Sequence, residues 1–371
     1  MIEHFNSLTL EQKVGQLFFI GIPGPEIDAQ TRELLDEVSP GGVCLFARNI
    51  KGREQTRNLL YELRGTLSIK PFLSVDQEGG LVDRLRRVMT AMPAASKLRN
   101  AVEAGLLASL IAETLQILGF NMDFAPVVDV VDDERSGYTN GLTSRSFGWS
   151  KETVTEFAGE FLRILEAISI VGCLKHFPGL GASQVDSHEE LPVVDISETE
   201  LDEIDLFPYR ELLKAFDIPV QAIMVAHASF PRHRLQETDQ NGKLLPSSLS
   251  YNFVSTLLRG DLAFDGLVIT DDLEMGAIVK NYGIGDACKM ALNAGVDMLA
   301  ICADPDSIRQ GFRTVLKAVE GGEISIERID ASLARIARMK KHLLGPMPYN
   351  TQRLERISTE IAELNDRLNS L

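Results

Sequence analysis

The sequence predicts a single (β/α)8 barrel of the TIM type with a C-terminal helical extension, and two observations support this fold class. Short β-rich apolar runs recur along the 371 residues, separated by longer segments with helical spacing. Apolar residues occupy consecutive positions in these runs, which is typical of strands buried on both faces of a parallel sheet. Eight such β-then-α units favour a closed barrel over a doubly wound sheet.

The predicted strands follow one another at regular intervals, and an amphipathic segment separates each from the next. In residues 97–118, for example, apolar residues recur every fourth position, and Gly119 follows where a helix would end. No flexible Ser/Gly linker divides residues 1–345, so we expect one barrel domain there. The predicted strands are residues 16–22, 42–47, 71–76, 122–127, 172–177, 220–227, 266–271 and 296–302.

Residues 346–371 are predicted to form the C-terminal amphipathic helix. Pro346 and Pro348 end the barrel part, and the apolar residues after them alternate three and four positions apart. This seam would pack on the chain's own barrel or form a dimer contact. We favour packing on the barrel, and therefore a monomer over a dimer. The residues of the seam are Leu354, Ile357, Ile361, Leu364, Leu368 and Leu371.

The composition argues against several classes of partner. With 37 basic and 53 acidic residues, the net charge of −16 disfavours binding to nucleic acid or a polybasic membrane anchor. The N-terminus lacks the pattern of a signal peptide, and no apolar run approaches ~20 residues, so no membrane span is expected. The four cysteines are scattered without a C-x-x-C pair, which favours buried thiols in the cytoplasm over a zinc site.

Polar side chains interrupt the apolar runs where the predicted strands end. The C-terminal ends of barrel strands face one mouth, so these side chains would converge there. A strand-end aspartate can instead cap the next helix, but the convergence of several groups favours a functional site. The residues concerned are Asp76, Lys175, His176, His227, Asp271 and Asp272.

Two pairs of polar residues, one at a strand end and one in a loop, leave alternatives open. Asp271 and Asp272 should point to opposite sides of a strand, so alternation places only one at the mouth without choosing which. In an extended loop Asp186 and His188 lie on the same side, so the carboxylate could orient the imidazole for proton transfer near neutral pH. The same pair also fits a surface histidine beside a turn aspartate.

Taken together, the ordered motifs resemble glycoside hydrolase family 3, in its single-domain bacterial β-N-acetylhexosaminidase branch. The resemblance extends over roughly the whole barrel. Its motifs are GGVCLFARN (41–49), VDQEGG (75–80), NMDFAPVVDV (121–130), SRSFG (144–148), KHFPG (175–179), VDSH (185–188), MVAHASFP (224–231) and VITDDLEM (268–275).

The resemblance implies a role for individual residues. Asp271 would be the nucleophile, and His188 with Asp186 would be the acid/base pair on the loop after the fifth strand. The reaction implied is retaining hydrolysis of a terminal β-linked N-acetylglucosamine, with no metal or organic cofactor, in the recycling of cell-wall fragments. The implied contacts to this small carbohydrate substrate are Asp76, Arg84, Arg145, Lys175 and His176, with Met275 near the nucleophile.

The sequence departs from the family pattern at two positions. Leu180 replaces the second histidine of K-H-F-P-G-H-G, and Leu81 replaces the arginine of Q-E-G-G-R-V. Two-domain members take their acid/base carboxylic acid from a second domain, and residues 346–371 are too few for one, so we expect the proton donor to come from the barrel. Rival hypotheses are a phosphorylase, a sugar-binding barrel without turnover, and an aldolase-type Schiff base on Lys175.

Overall fold

The computed structural model describes residues 5, 7–138, 140–184, 191–218 and 220–370. Within them, eight parallel strands close into a barrel in which each strand pairs with its neighbours along the chain and the last pairs with the first. The predicted fold class is therefore confirmed. The strands are β1 (Phe18–Gly21), β2 (Gly42–Leu45), β3 (Phe72–Val75), β4 (Met122–Asp123), β5 (Val171–Phe177), β6 (Ala222–Val225), β7 (Leu267–Asp272) and β8 (Met298–Ile301).

Helices surround the barrel and cover the outer faces of its strands. The longer ones are α1 (Leu10–Gly15), α2 (Ala29–Val38), α3 (Arg53–Thr66), α4 (Ala101–Leu118), α5 (Lys151–Ala167), α6 (Phe207–Lys214), α7 (Ile284–Ala294), α8 (Pro305–Glu320), α9 (Ile326–Lys341) and α10 (Thr351–Asn369). Between β6 and β7 the chain forms a π-helical segment, Asn252–Asp261. Shorter helical turns are Ala95–Lys97, Arg135–Gly137, Glu198–Glu200, Leu201–Asp205, Ser247–Leu249 and Gly276–Val279.

A two-stranded antiparallel ribbon, Gln77–Gly79 with Val82–Asp83, follows β3 at the mouth of the barrel. The interior below the mouth is filled by side chains. The ring of Phe19 stacks on Phe72 with centroids 5.7 Å apart and meets Phe124 edge-on at 5.3 Å. The described interior of the barrel is thus a packed core.

The predicted helix over 97–118 is present but begins later, at Ala101. The side chain of Asn100 accepts a hydrogen bond from the backbone N–H of Glu103, which caps the first turn. The helix ends at Leu118 because Gly119 adopts the left-handed conformation at φ 109°, where a side chain would be strained.

By length and composition alone, α4 could cross a membrane, although the sequence analysis anticipated no such segment. In the structure, 72% of the helix is buried inside the protein. It packs against α3, α5 and α10. Its apolar surface is therefore that of a core helix.

The C-terminal helix α10 packs back on the barrel, as the favoured interpretation predicted. Its seam residues Leu354, Ile357, Ile361 and Leu364 are buried. At the edge of this contact, Arg353 forms an ion pair with Glu113 of α4 at 2.6 Å. The described part of the seam is therefore covered within the chain. The division into units at residue 345 stays a prediction.

A buried carboxylate joins three elements at the end of the barrel opposite the mouth. Asp297 immediately precedes β8 and accepts hydrogen bonds from the backbone N–H of Val268 at 3.0 Å and from the hydroxyl of Ser332 at 2.7 Å. The guanidinium of Arg259 forms an ion pair with the same carboxylate. Asp297 thus has a structural role remote from the strand tips.

We expect Ile357→Ala to lower the free energy of unfolding by about 2–5 kcal/mol, because it leaves a cavity beneath the buried face of α10. The measurement is the midpoint and slope of urea unfolding. Val102→Ala is the control, since Val102 on α4 is 80% exposed and should change stability little. Equal effects of the two substitutions would contradict the packing of α10.

Candidate active site

A cavity of about 310 Å³ opens among the C-terminal ends of the barrel strands. It brings together every described residue that the sequence analysis named as a nucleophile or sugar contact. Asp186 and His188 lie outside the described residues, so the structure gives no position for the predicted acid/base pair. The predicted residues that line the cavity are Asp76, Arg84, Arg145, Lys175, His176, Asp271 and Met275.

A chain of alternating charges forms one wall of the cavity. The ammonium group of Lys175, on β5, lies 2.8 Å from a carboxylate oxygen of Asp76 and 2.5 Å from one of Glu78. Glu78 also accepts two hydrogen bonds from the guanidinium of Arg145, at 2.8 and 2.9 Å. Glu78 comes from the antiparallel ribbon after β3, and the sequence analysis did not single it out.

Burial and pairing act against each other in this charge chain. Burial raises the pKa of Glu78, but the adjacent Lys175 and Arg145 outweigh it and hold the pKa near 2. Burial lowers the pKa of Lys175, yet Asp76 and Glu78 raise it well above its usual value. Lys175 therefore stays protonated near neutral pH. A protonated amine is a poor nucleophile, which argues against the Schiff-base hypothesis.

His176 is held by a buried carboxylate that the sequence analysis also missed. Nδ1 of His176 lies 2.7 Å from Oδ2 of Asp129, whose other oxygen accepts the backbone N–H of Leu180 at 2.7 Å. Asp129 lies within the NMDFAPVVDV motif, just after an apolar run. Its place after that run resembles that of the other strand-end aspartates, a signal that could have identified it.

Asp271 and Asp272 end β7, and both border the cavity. The expectation that only one would reach the mouth is therefore wrong, because the pairing of β7 with β8 shifts register between Ile269 and Asp272, which interrupts the regular alternation. Oδ1 of Asp271 accepts the backbone N–H of Asp272 at 2.8 Å. Oδ1 of Asp272 accepts the backbone N–H groups of Glu274 at 3.1 Å and Cys302 at 3.3 Å, so this carboxylate holds the turn after the strand.

The two neighbouring carboxylates differ in pKa. Desolvation raises the pKa of Asp271, but His176, His227 and a backbone hydrogen bond bring it below its usual value. Desolvation raises the pKa of Asp272 to about 7, and the negative charges of Glu274 and Asp271 act in the same direction. Asp271 is therefore the carboxylate that stays ionised across the neutral range.

His227, which sequence analysis named as a strand-end group, does not line the cavity. Its Nε2 lies 3.1 Å from the backbone carbonyl of Asp272 and its Nδ1 lies 2.7 Å from the hydroxyl of Ser248. A carbonyl only accepts, so Nε2 carries the hydrogen and Nδ1 accepts from Ser248. Burial lowers the pKa of His227, which favours this neutral form. His227 thus fixes the backbone beside Asp271.

Arg84 and the two leucines that depart from the family pattern, Leu81 and Leu180, border the cavity. The guanidinium of Arg84 stands over the ring of Phe46 at 5.8 Å, and its buried Nε has no hydrogen-bond partner. Leu81 is 67% exposed, whereas Leu180 is buried, and both border the cavity. They add apolar surface beside the charge chain without interrupting its ion pairs.

The described part of the chain contains no group of three or more His, Cys, Asp or Glu side chains arranged to hold a metal ion. The four cysteines are free and buried, as the sequence analysis predicted.

A closed parallel barrel whose strand tips gather ionised carboxylates and cations around a small cavity has the architecture of a TIM-barrel enzyme. Residues 9–339 match the sequence model described as "Glycosyl hydrolase family 3 N terminal domain". The chain belongs to glycosyl hydrolase family 3, so the predicted family and enzyme class are confirmed.

Similar proteins carry names and titles consistent with this family. A "Beta-hexosaminidase" of Pseudomonas aeruginosa is 36% identical over 77% of this chain and 82% of its own length. "Beta-hexosaminidase A" of Pseudoalteromonas piscicida is 32% identical over 84% of this chain, which spans only 55% of that protein. The structure of a family 3 β-N-acetylglucosaminidase from Paenibacillus sp. FPU-7 superposes with a TM-score of 0.87 at 34% identity, covering 96% of this chain and 69% of that one.

We expect Glu78→Gln to lower the free energy of unfolding by about 3–5 kcal/mol at neutral pH, because two buried cations lose their shared anion. The pKa of Glu78 falls from 4.5 to about 2 on folding, so this stabilisation is full above pH 4.5 and disappears as the pH falls towards 2. Urea unfolding of both proteins across this pH range measures the difference.

Glu160→Gln is the matched control, because it removes a surface ion pair with Arg163 on α5. We expect a loss below about 1 kcal/mol. A Glu78→Gln protein that is as stable as this control would contradict the importance of the buried charge chain.

Proposed function

We propose that the protein is a retaining β-N-acetylhexosaminidase that releases a terminal β-linked N-acetylglucosamine. The observation that carries the proposal is the ionised carboxylate of Asp271, which borders the same cavity as the charge chain of Asp76, Lys175, Glu78 and Arg145. An ionised carboxylate can attack a sugar, and the charge chain offers both donors and acceptors to hydroxyl groups.

The first step transfers the sugar to the enzyme. A carboxylate oxygen of Asp271 forms a bond to the anomeric carbon while the bond from that carbon to the leaving oxygen breaks. His188 donates its proton to the leaving oxygen, and Asp186 orients the imidazole. The roles of His188 and Asp186 rest on the family resemblance.

The second step returns the nucleophile. His188 accepts a proton from water as the water oxygen attacks the anomeric carbon, and the bond from that carbon to Asp271 breaks. Two inversions leave the product with the configuration of the substrate. The imidazole is protonated again and Asp271 is again a carboxylate, so both groups are ready for another turnover.

The charge chain would hold the sugar in the correct orientation for attack. The carboxylate of Asp76 can accept a hydrogen bond from a hydroxyl, while Lys175 and Arg145 can donate to sugar oxygens. Their mutual ion pairs leave these groups little freedom to move before the substrate binds. Arg84, His176 and Met275 complete the proposed sugar contacts.

We place this activity in the recycling of cell-wall fragments in the cytoplasm, with the protein acting as a monomer. The names of the matched relatives support the choice of N-acetylhexosamine. The cell-wall fragment as substrate rests on the family resemblance. The cytoplasmic location rests on the scattered cysteines, and the monomer on the packing of α10.

We expect Asp271→Ala to abolish turnover of p-nitrophenyl N-acetyl-β-glucosaminide, with a loss exceeding the roughly 10²–10⁴-fold effect of removing a general acid, because the covalent route disappears. A fluorinated glycoside should label Asp271, as detected by mass spectrometry of peptides. Asp366→Ala, an exposed carboxylate on α10, should keep full activity.

The sugar product should be the same with and without inorganic phosphate, since a phosphorylase would instead yield a sugar phosphate. Label on another side chain would contradict the proposed nucleophile. An inert wild type that still binds the sugar would favour the sugar-binding barrel.

We expect His188→Ala to reduce kcat/KM by roughly 10²–10⁴-fold for an aryl glycoside with a poor leaving group. The loss should be much smaller with a dinitrophenyl glycoside, because that leaving group departs without protonation. His342→Ala, at an exposed histidine after α9, is the control. Equal losses on both substrates would contradict the assignment of His188 as the proton donor.

A further inference from the structure

Asp129 is a buried carboxylate for which neither the motifs nor the proposed reaction gives a role. Its side chain is 1% exposed and accepts three hydrogen bonds. They come from Nδ1 of His176 at 2.7 Å, the backbone N–H of His176 at 3.3 Å and the backbone N–H of Leu180 at 2.7 Å. A buried carboxylate with its oxygens occupied in this way is a fixed acceptor.

The contacts of His176 are compatible with one neutral tautomer. The guanidinium Nη2 of Arg145 lies 3.4 Å from Nε2 of His176, and a guanidinium can only donate. Nε2 must therefore present a lone pair. The carboxylate of Asp129 can only accept, so Nδ1 carries the hydrogen. The contact of Asp129 with Nδ1 and the contact of Arg145 with Nε2 both favour the Nδ1–H tautomer of His176.

We propose that Asp129 is a positioning residue that holds His176 as the Nδ1–H tautomer, so that the single lone pair of Nε2, which is in long contact with Arg145 at 3.4 Å, accepts a hydroxyl hydrogen of the bound sugar in place of Arg145. The identity of the ligand as a sugar rests on the proposed function, whereas the tautomer does not. His176 borders the cavity, where the substrate would bind. A hydroxyl group of the carbohydrate would thus donate a hydrogen bond to Nε2 of His176.

Asp129 also connects the segments that carry the other sugar contacts. Its backbone carbonyl accepts the hydroxyl hydrogen of Ser146 at 2.9 Å, next to Arg145. Its carboxylate holds Leu180, which borders the cavity beyond β5. A change at Asp129 should therefore alter sugar binding through His176 and its neighbours, although Asp129 itself does not line the cavity.

The substitution Asp129→Asn removes the negative charge of the side chain and keeps its shape. The amide keeps one oxygen that can accept, but its NH₂ group can turn towards Nδ1 and donate. His176 would then become the Nε2–H tautomer, with its hydrogen directed at the donor of Arg145 and with no lone pair for the sugar. An exchange of tautomer, without loss of the fold, distinguishes positioning from structural support.

The test is ¹⁵N NMR of the protein labelled at its six histidines, with His176 assigned by its disappearance in His176→Gln. Wild type should show His176 as Nδ1–H, and Asp129→Asn should shift it towards Nε2–H. If wild type shows the Nε2–H tautomer, that result alone overturns the proposal. An unchanged tautomer in a folded Asp129→Asn protein would also overturn it. Neither readout depends on turnover.

Steady-state kinetics on p-nitrophenyl N-acetyl-β-glucosaminide supply the second readout. Asp129→Asn should raise KM by roughly 10-fold, as expected for one lost hydrogen bond, with a smaller change in kcat. Asp297→Asn is the matched control, since it alters a buried, hydrogen-bonded carboxylate at the opposite end of the barrel and should change stability but not KM. An unchanged KM in Asp129→Asn, or an equal rise in both variants, would overturn the proposal.

Discussion

The geometry of the site depends on the buried charge chain that runs from Asp76 through Lys175 and Glu78 to Arg145. Removing a single one of these charges from water would be costly, so each is tolerated only where its partners are within hydrogen-bonding distance. This requirement fixes the tip of β5 against the ribbon after β3 and against the segment that carries Arg145. The cavity wall is thus assembled from distant parts of the chain by electrostatics, on a barrel already closed by apolar packing.

Environment, more than residue type, separates the carboxylates at the mouth. Asp271 and Asp272 are adjacent in sequence, yet the neighbouring imidazoles, a backbone hydrogen bond and the cation Lys175 hold the pKa of the first below its usual value, whereas desolvation raises that of the second to about 7. The carboxylate of Asp272 accepts a backbone hydrogen bond that stabilises the turn after β7. His227 donates a hydrogen bond to the backbone carbonyl of Asp272 and so fixes the same segment. This division resembles the way in which paired carboxylates acquire different roles in other glycosidases.

The barrel could be predicted from sequence because consecutive apolar residues and helical spacing are local signals, and the predicted strands differ from the observed ones only at their ends. Among the described residues, the strand-end groups Asp76, Lys175, His176 and Asp271 converge because strand tips face one mouth. Glu78 and Asp129 were missed because their partners lie 67 and 47 positions away. The place of Asp129 after an apolar run could have marked it as a strand-end group, but it does not reveal His176 as its partner. The alternation rule failed at Asp272 because the pairing of β7 with β8 is irregular at that point, and the sequence of β7 alone does not reveal this.

The backbone hydrogen bond to Asp271 bears on the intermediate of the proposed reaction. Oδ1 is already engaged by the N–H of the following residue, which leaves Oδ2 as the less encumbered oxygen for attack. In the resulting glycosyl ester, Oδ1 would be the carbonyl oxygen. When water breaks that ester, the negative charge spreads back onto an oxygen whose hydrogen-bond donor is in place beforehand, so the enzyme would not need to rearrange to release its product.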